Sequence, residues 1–215
     1  MFHRDLRSLT GFIGDENAQR CSRRAFLRDL ALATLAGAVT PLHAQRAHGI
    51  GVVDPPARLG DFTLIDQNGA KRQLDDLLTQ KVTALQTIYT GCGSVCPLQG
   101  ALFGAVQDRL PAMHGARPVR LLSIGIDPLS DSPSALRNWL SQFHAGPAWN
   151  AATPGLQDVD RMRQALSASK LPLGNIAEHS TQIYCFDSSG MLRYRSSDLP
   201  RVEEICDVIG KLVRL

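Results

Sequence analysis

Two cysteines four residues apart, just beyond an apolar strand, constrain this chain more than any other feature. Residues 82–89 are rich in β-forming side chains and predict a central strand. Cys92 and Cys96 follow, and the next residue is Pro97, which a helix accepts only in its first turn. The cysteines therefore mark a strand-to-helix junction, where the positive end of the helix dipole favours thiolate over thiol.

The spacing of Cys92 and Cys96 suits two kinds of chemistry. In a helical turn, residues at i and i+4 share one face, and Cα atoms about 6 Å apart are within reach of a disulfide. The pair can thus cycle between dithiol and disulfide, or offer two soft thiolates to a soft metal. A permanent structural disulfide is the competing interpretation, but it would close a loop too short to restrict the unfolded chain much.

The order of the other segments predicts an α/β protein with a thioredoxin-like fold, an N-terminal β-hairpin and an inserted helix. The hairpin follows from strand-like residues 62–66 and the turn signal Gln67-Asn68-Gly69. The remaining predicted elements are a helix over 98–110, a strand over 119–126, a helix from Ser132-Pro133 to about 143, a loop over 145–156, a helix over 157–168, strands over 183–186 and 191–195, and a helix over 201–213.

Residues 1–44 have the layout of an export signal. Arg23 and Arg24 precede a short apolar stretch at 30–39, and cleavage is expected after Ala44. Paired arginines in this position resemble a twin-arginine signal, whose cargo crosses the membrane folded. A surface amphipathic helix is the alternative, although residues 29–39 lack a polar face. We therefore predict an export signal over 1–44, a flexible lead-in over 45–58 and one domain over 59–215.

This division predicts a periplasmic protein, associated with the membrane if the leader is retained. Residues 45–215 carry 17 basic and 16 acidic side chains, a balance that gives no basic footprint for nucleic acid. No apolar run approaches the roughly 18 residues of a membrane-spanning helix, so we expect no transmembrane span in the mature chain. In an oxidising compartment, cysteines 92, 96, 185 and 206 become disulfides unless something reduces them.

Two thiolates do not complete a metal site, and an imidazole is the expected third ligand. His48 lies in the predicted lead-in, and His114 and His144 lie among loop residues where solvation is the simpler expectation. His179 stands just before the strand at 183–186, whose entering loop faces the active-site helix in a thioredoxin-like sheet. Two cysteines and a histidine suit copper, because thiolate favours Cu(I) and imidazole helps to bind Cu(II).

Several separated motifs resemble the Sco family (SenC-like) of copper-binding, thioredoxin-fold assembly factors over about 59–214. They are residues 61–69, residues 88–90 running into Cys92-x-x-x-Cys96-Pro97, residues 127–133, and residues 179–184 with Asp187 and Gly190. The resemblance implies that Cys92, Cys96 and His179 bind copper. It also implies that the protein delivers copper to the dinuclear centre of cytochrome c oxidase, or reduces the cysteines there, with the copper-bearing subunit as partner.

The sequence departs from that family at three positions, and other functions compete with it. Gly93 and Ser94 stand where the family usually has proline and an acid, which loosens the loop and removes a charge; Glu178 replaces an aspartate. The main alternative is a periplasmic thiol–disulfide oxidoreductase without a metal role, although such proteins more often use Cys-x-x-Cys. A peroxidase could use Thr90, but the paired Cys96 fits its lone peroxidatic cysteine poorly.

Four further residues carry predictions. Asp127 and Asp131 follow the strand at 119–126, at the sheet edge where α/β proteins bind ligands, and could support partner docking or copper transfer. The alternative is that Asp131 only helps to start the helix at Pro133. Cys185 and Cys206 are predicted to be small core residues, with a disulfide between them as the alternative.

Overall fold

The computed structural model describes residues 50–113, 115–167 and 180–215, all within one compact unit. The strands are β1 (Gly51–Ala57), β2 (Thr63–Asp66), β3 (Lys71–Gln73), β4 (Val82–Ile88), β5 (Val119–Gly125), β6 (Trp149–Pro154), β7 (Ile183–Phe186) and β8 (Leu192–Arg195). The helices are α1 (Leu74–Leu78), α2 (Val95–Arg109), α3 (Pro133–Gln142), α4 (Val159–Ser167) and α5 (Val202–Leu212). Within these ranges no helix has the length and apolar character needed to span a bilayer.

The strands form one mixed sheet in the order β1-β8-β7-β4-β5-β6-β2-β3. Its centre is parallel, since β4 pairs with β5 and β5 with β6 in the same direction. β7 runs antiparallel to β4, and the hairpin of β2 and β3 extends the sheet beyond β6. This topology confirms the predicted thioredoxin-like α/β fold and its N-terminal hairpin.

Helices cover both faces of the sheet and bury two hydrophobic clusters. One cluster joins the sheet to α2, α3 and α5 through residues such as Phe103, Trp139 and Ile205. The other joins the opposite face to α1 and α4 through Leu74 and Met162. The central strand β4 is fully buried because it is covered on both sides. The end of β4 is therefore a rigid base for the residues that follow it.

Local signals in the sequence are confirmed at two turns. The Ser132 hydroxyl accepts a hydrogen bond from the Ala135 amide at 3.2 Å, and Pro133 is the first residue of α3. In the hairpin, Asp66 accepts hydrogen bonds from the Asn68 and Ala70 amides, and Gly69 has a φ of 80°. A positive φ of this kind is what glycine permits without strain.

Two segments predicted to be irregular are strands instead. The predicted loop over 145–156 contains β6, because Gly146, Pro147 and Gly155 lie outside the strand and Pro154 is its last residue, so none of them interrupts it. The flexible lead-in predicted over 45–58 is wrong for residues 51–57, which form β1 and pair with β8. Pro55 and Pro56 are tolerated there because β1 is an edge strand.

Candidate thiol and metal site

Cys92 and Cys96 lie together beyond the carboxyl end of β4. The Cys92 amide donates to the Tyr89 carbonyl at 3.0 Å, which closes a turn, and α2 begins at Val95. Cys92 therefore precedes the helix and Cys96 lies in its first turn, so the expected arrangement on one helical face is wrong. The two thiols nevertheless contact each other through a hydrogen bond.

The environment of Cys92 favours its thiolate. Partial burial acts to raise the pKa, but hydrogen bonds from the Ser94 hydroxyl, from the Cys96 and Ser94 amides and from the Cys96 thiol outweigh it. Together they lower the pKa of Cys92 from 9.0 to about 6. The Sγ of Cys92 lies 3.5 Å from the Ser94 Oγ. Cys92 is therefore the more accessible and more readily ionised thiol of the pair.

Cys96 has the opposite character. Its side chain is fully buried beneath the turn, and burial raises the pKa of Cys96 to about 12. A hydrogen bond with the Tyr89 backbone opposes this rise, whereas the nearby Cys92 sulfur and Asp131 carboxylate add to it. One accessible thiolate thus lies beside one protected thiol, an arrangement suited to forming and resolving mixed disulfides.

A buried carboxylate fixes the turn that carries Cys92. Asp131 is fully buried, and its Oδ1 accepts hydrogen bonds from the Thr90 amide at 2.8 Å and the Thr90 hydroxyl at 2.7 Å. Its Oδ2 accepts from the Asp127 amide at 2.9 Å. Burial raises the pKa of Asp131, although the hydrogen bonds from Thr90 and Asp127 oppose the shift. We call this arrangement the Asp131–Thr90 clamp.

The contacts of Asp131 differ from both of its predicted roles. Ser132 is the cap of the helix, and the buried Asp131 carboxylate holds the turn that carries Cys92. A role for Asp131 in partner docking or copper transfer stays a prediction. Asp127 is half-buried beside it and contributes its backbone amide. The importance of Thr90 was missed in the sequence, because its hydrogen bonds reach a residue 41 positions away.

The predicted imidazole ligand, His179, lies outside the described residues, as do His48 and His114. His144 lies in the turn after α3, away from the cysteines, where its carbonyl accepts a hydrogen bond from Gln107. Within the described ranges, no three His, Cys, Asp or Glu side chains are grouped closely enough to hold a metal ion. The described part of the site thus supplies two sulfur donors, and His179 stays a prediction.

Gln99 is a buried polar residue that the sequence reasoning missed. It lies three residues after Cys96 on α2 and is 1% exposed. Neither atom of its amide group has a hydrogen-bond partner within the described part of the chain. The sequence could have pointed to Gln99, because it places a polar side chain on the apolar face of the predicted helix, one turn after Cys96.

The other two described cysteines are distant from this chemistry. Cys185 is fully buried in β7, and burial raises its pKa to about 12, with the charge of Glu204 adding to the shift. Cys206 is half-buried on α5, and burial raises its pKa as well. Neither forms a disulfide. Their predicted role as core residues therefore holds fully for Cys185 and in part for Cys206.

Fold and site together define a thioredoxin-like protein with a redox-capable dithiol at the end of its central strand. The SCO1/SenC family model matches residues 53–214, and the chain belongs to this family.

Known relatives are similar over most of the chain. The bovine (Bos taurus) mitochondrial protein SCO2 homolog is 26% identical over 214 residues, covering 94% of this chain and 79% of its own length. BsSco, a member of the Sco family of cytochrome c oxidase assembly proteins, shares the fold at a TM-score of 0.63 and 19% identity, over 74% of this chain and 95% of its own. Bradyrhizobium japonicum ScoI, solved with copper bound, is 25% identical with a TM-score of 0.57, over 73% and 99%.

Proposed function

We propose that this protein is a copper metallochaperone that carries copper as cargo on Cys92, Cys96 and His179. The observation that carries the proposal is the hydrogen-bonded pair of thiols in a chain of the SCO1/SenC family. Its relative ScoI of Bradyrhizobium japonicum binds copper, and BsSco belongs to the cytochrome c oxidase assembly proteins. The recipient would be the dinuclear copper centre of cytochrome c oxidase.

The donor set suits this cargo. Two sulfur ligands satisfy Cu(I), and an imidazole adds the harder nitrogen ligand that Cu(II) requires. The Ser94 hydroxyl contacts the Cys92 sulfur where the family usually places an acid nearby, so it brings no negative charge to a bound cation. We therefore propose a weaker preference for Cu(II) than an acidic residue between the cysteines would give.

Thiol–disulfide exchange is the second candidate, and the contrast between the two thiols favours it. The Cys92 thiolate would attack one sulfur of a client disulfide and release the other as a thiol. Cys96 would then lose its proton and attack the Cys92 sulfur, leaving a reduced client and an oxidised Cys92–Cys96 pair. Reduction of the oxidase cysteines before metallation would use this reaction.

The substitution His179→Ala separates the two candidates. We expect it to abolish stable Cu(II) binding and the thiolate-to-copper absorption band, because two thiolates alone satisfy Cu(II) poorly. Formation and reduction of the Cys92–Cys96 disulfide should persist, since exchange rates depend on the thiols. Optical titration with Cu(II) and thiol counting measure the two activities.

His144→Ala is the matched control and should change neither activity, whereas Cys92→Ala should abolish both. Parental Cu(II) affinity in His179→Ala would contradict the three-ligand site and leave thiol–disulfide exchange as the function.

We further propose that the protein acts in the periplasm, after export by the signal that contains Arg23 and Arg24. It would be associated with the membrane if the leader is retained.

A further inference from the structure

A polar pocket of about 240 Å³ opens at the end of the sheet opposite to the cysteines. It is lined by the second residues of β5 and β6, Arg120 and Asn150, and by Asp66 and Arg72 of the hairpin. The cysteines follow the carboxyl end of β4, whereas β5 and β6 run parallel to β4 and begin at the other end. The pocket is therefore separate from the thiol site.

Strand register brings the polar side chains of this pocket to one face of the sheet. Asn150 of β6 pairs with Leu122 of β5, and Arg120 lies two residues before Leu122, so all three side chains project to the same side. Arg72 pairs with Leu64 in the hairpin, and Leu64 belongs to the same hydrophobic cluster as Leu122. Two arginines therefore share one face of the sheet, beside α1.

Contacts with α1 hold the guanidinium group of Arg120 in place. Its Nη1 donates to the Leu77 carbonyl and, at 3.5 Å, to the Asp76 carbonyl, both in the last turn of the helix. Its Nε is buried, and neither Nε nor Nη2 has a hydrogen-bond partner within the described part of the chain. The guanidinium is thus fixed through Nη1 and keeps N–H groups without an acceptor.

Within the described ranges, no carboxylate balances the charge of Arg120. Burial lowers the pKa of Arg120, and the positive charge of Arg72 lowers it further. Asp66 is already engaged, because it accepts from Arg72 at 3.0 Å and from two backbone amides. Asp76 is exposed and contacts Arg120 through its backbone carbonyl. A half-buried cation without a counter-charge is costly, and a second cation beside it adds to that cost.

We propose that this pocket, the Arg120 pocket, binds a small, doubly charged oxyanion of the phosphate type. The planar guanidinium of Arg120 offers N–H donors in the geometry that an oxyanion accepts. Arg72 adds a second positive charge, and the side-chain amide of Asn150 adds a neutral donor. The anion supplies the acceptors and the counter-charge that these groups need. Because the pocket lies away from the cysteines, this inference goes beyond the proposed function and does not depend on it.

Inorganic phosphate is the probe for this site, and potassium chloride at equal ionic strength is its reference. In ¹H–¹⁵N spectra of the full-length protein at neutral pH, phosphate should shift the Arg120 Nε–Hε and Leu77 amide signals saturably. The Cys92 amide signal should stay unchanged, and chloride should shift none of the three. Equal responses to chloride, or no saturable shift of the two pocket signals, would overturn the proposal.

The substitution Arg120→Met keeps the aliphatic stem and removes the charge. It should weaken phosphate binding by at least about 10-fold, the usual effect of losing a hydrogen bond to a charged group. Arg137→Met is the matched control and should keep the parental affinity. Arg137 also donates to a backbone carbonyl, that of Gln67 at 2.6 Å, but it does not line the pocket.

The two variants separate a specific site from a general effect of charge. Equal losses in Arg120→Met and Arg137→Met would mean that phosphate responds only to the net charge of the protein, and parental affinity in Arg120→Met would remove the central contact. Either result overturns the inference. If Arg120→Met does not fold, the signal shifts of the parent protein decide.

Discussion

Hydrogen bonds to Cys92 and burial of Cys96 give these two cysteine side chains opposite reactivities. The reduced, metal-free protein should react with iodoacetamide at Cys92 with a midpoint near pH 6, where a free cysteine reacts near 9, because the pKa of Cys92 is lowered to about 6. Cys96 should stay unmodified at neutral pH, since burial raises its pKa to about 12. Peptide mass spectrometry across a pH series measures both rates.

The shifted pKa values also set the sign of the pH dependence of stability. A lowered thiol pKa stabilises the folded state above the unfolded value near 9, and this contribution is lost as pH falls through 6. The raised pKa of Cys96 has the opposite effect, because it destabilises the folded state as the pH rises above 9. Ser94→Ala removes one hydrogen-bond donor and should move the Cys92 midpoint upward. A midpoint between 8 and 9 in the parent protein would contradict this account.

Substitution of Asp131 tests how much the buried Asp131–Thr90 clamp contributes to the free energy of unfolding. Asp131→Ala leaves the amide and hydroxyl of Thr90 and the Asp127 amide without their acceptor, and unpaired buried polar groups are costly. We expect the free energy of unfolding at pH 7 to fall by about 3 kcal/mol, measured by urea denaturation. The control Asp127→Ala keeps the backbone amide and should change it by less than about 0.5 kcal/mol. Equal effects would mean that the clamp is not the cause.

Among secondary-structure elements, the predictable ones were those with a strong local signal. β4 was identified because residues 82–89 are rich in β-formers, and α3 by Ser132 followed by Pro133. β6 was not predicted, because Ala151 and Ala152 give little strand signal and its pairing with β5 is a long-range contact. β1 was not predicted, because its prolines argue against a strand and its partner β8 lies some 140 residues further along the chain.

The packing of α2 against the end of α3 depends on a glycine. A Cβ added at Gly100 would overlap the Phe143 ring, which also packs against Trp139 and Trp149. Gly100→Ala should therefore destabilise the protein by about 1–3 kcal/mol, as overpacking does in cores. Thermal unfolding followed by circular dichroism measures the change.

Gly104, one turn later on α2, is the matched control. A Cβ there has nothing closer than the Phe143 carbonyl at 3.9 Å. Gly104→Ala should stabilise the protein by up to about 1 kcal/mol through helix propensity. If both substitutions shifted the unfolding temperature in the same direction, contact with Phe143 would not explain the requirement at Gly100.

In the whole molecule, the site forms where chain segments distant in sequence meet. The turn after β4 carries the cysteines, and the loop after β5 supplies Asp131, whose carboxylate holds Thr90. The cysteine pair was predictable because its spacing is local. The Asp131–Thr90 clamp was not, because it joins residues 41 positions apart through side-chain hydrogen bonds that leave no pattern in the sequence.

The last prediction concerns the full chain and its export. Arg23 and Arg24 precede a short, weakly hydrophobic stretch, a pattern typical of twin-arginine signals, which carry folded cargo. The double substitution Arg23→Lys and Arg24→Lys keeps the charge and should leave the protein in the cytoplasm, since recognition requires the paired guanidinium groups. Cell fractionation and immunoblotting measure the distribution. The control Arg20→Lys with Arg28→Lys changes two neighbouring arginines and should be exported normally. Unchanged periplasmic yield in the Arg23/Arg24 variant would show that another route exports the chain, and equal retention of both variants would remove the special role of the pair.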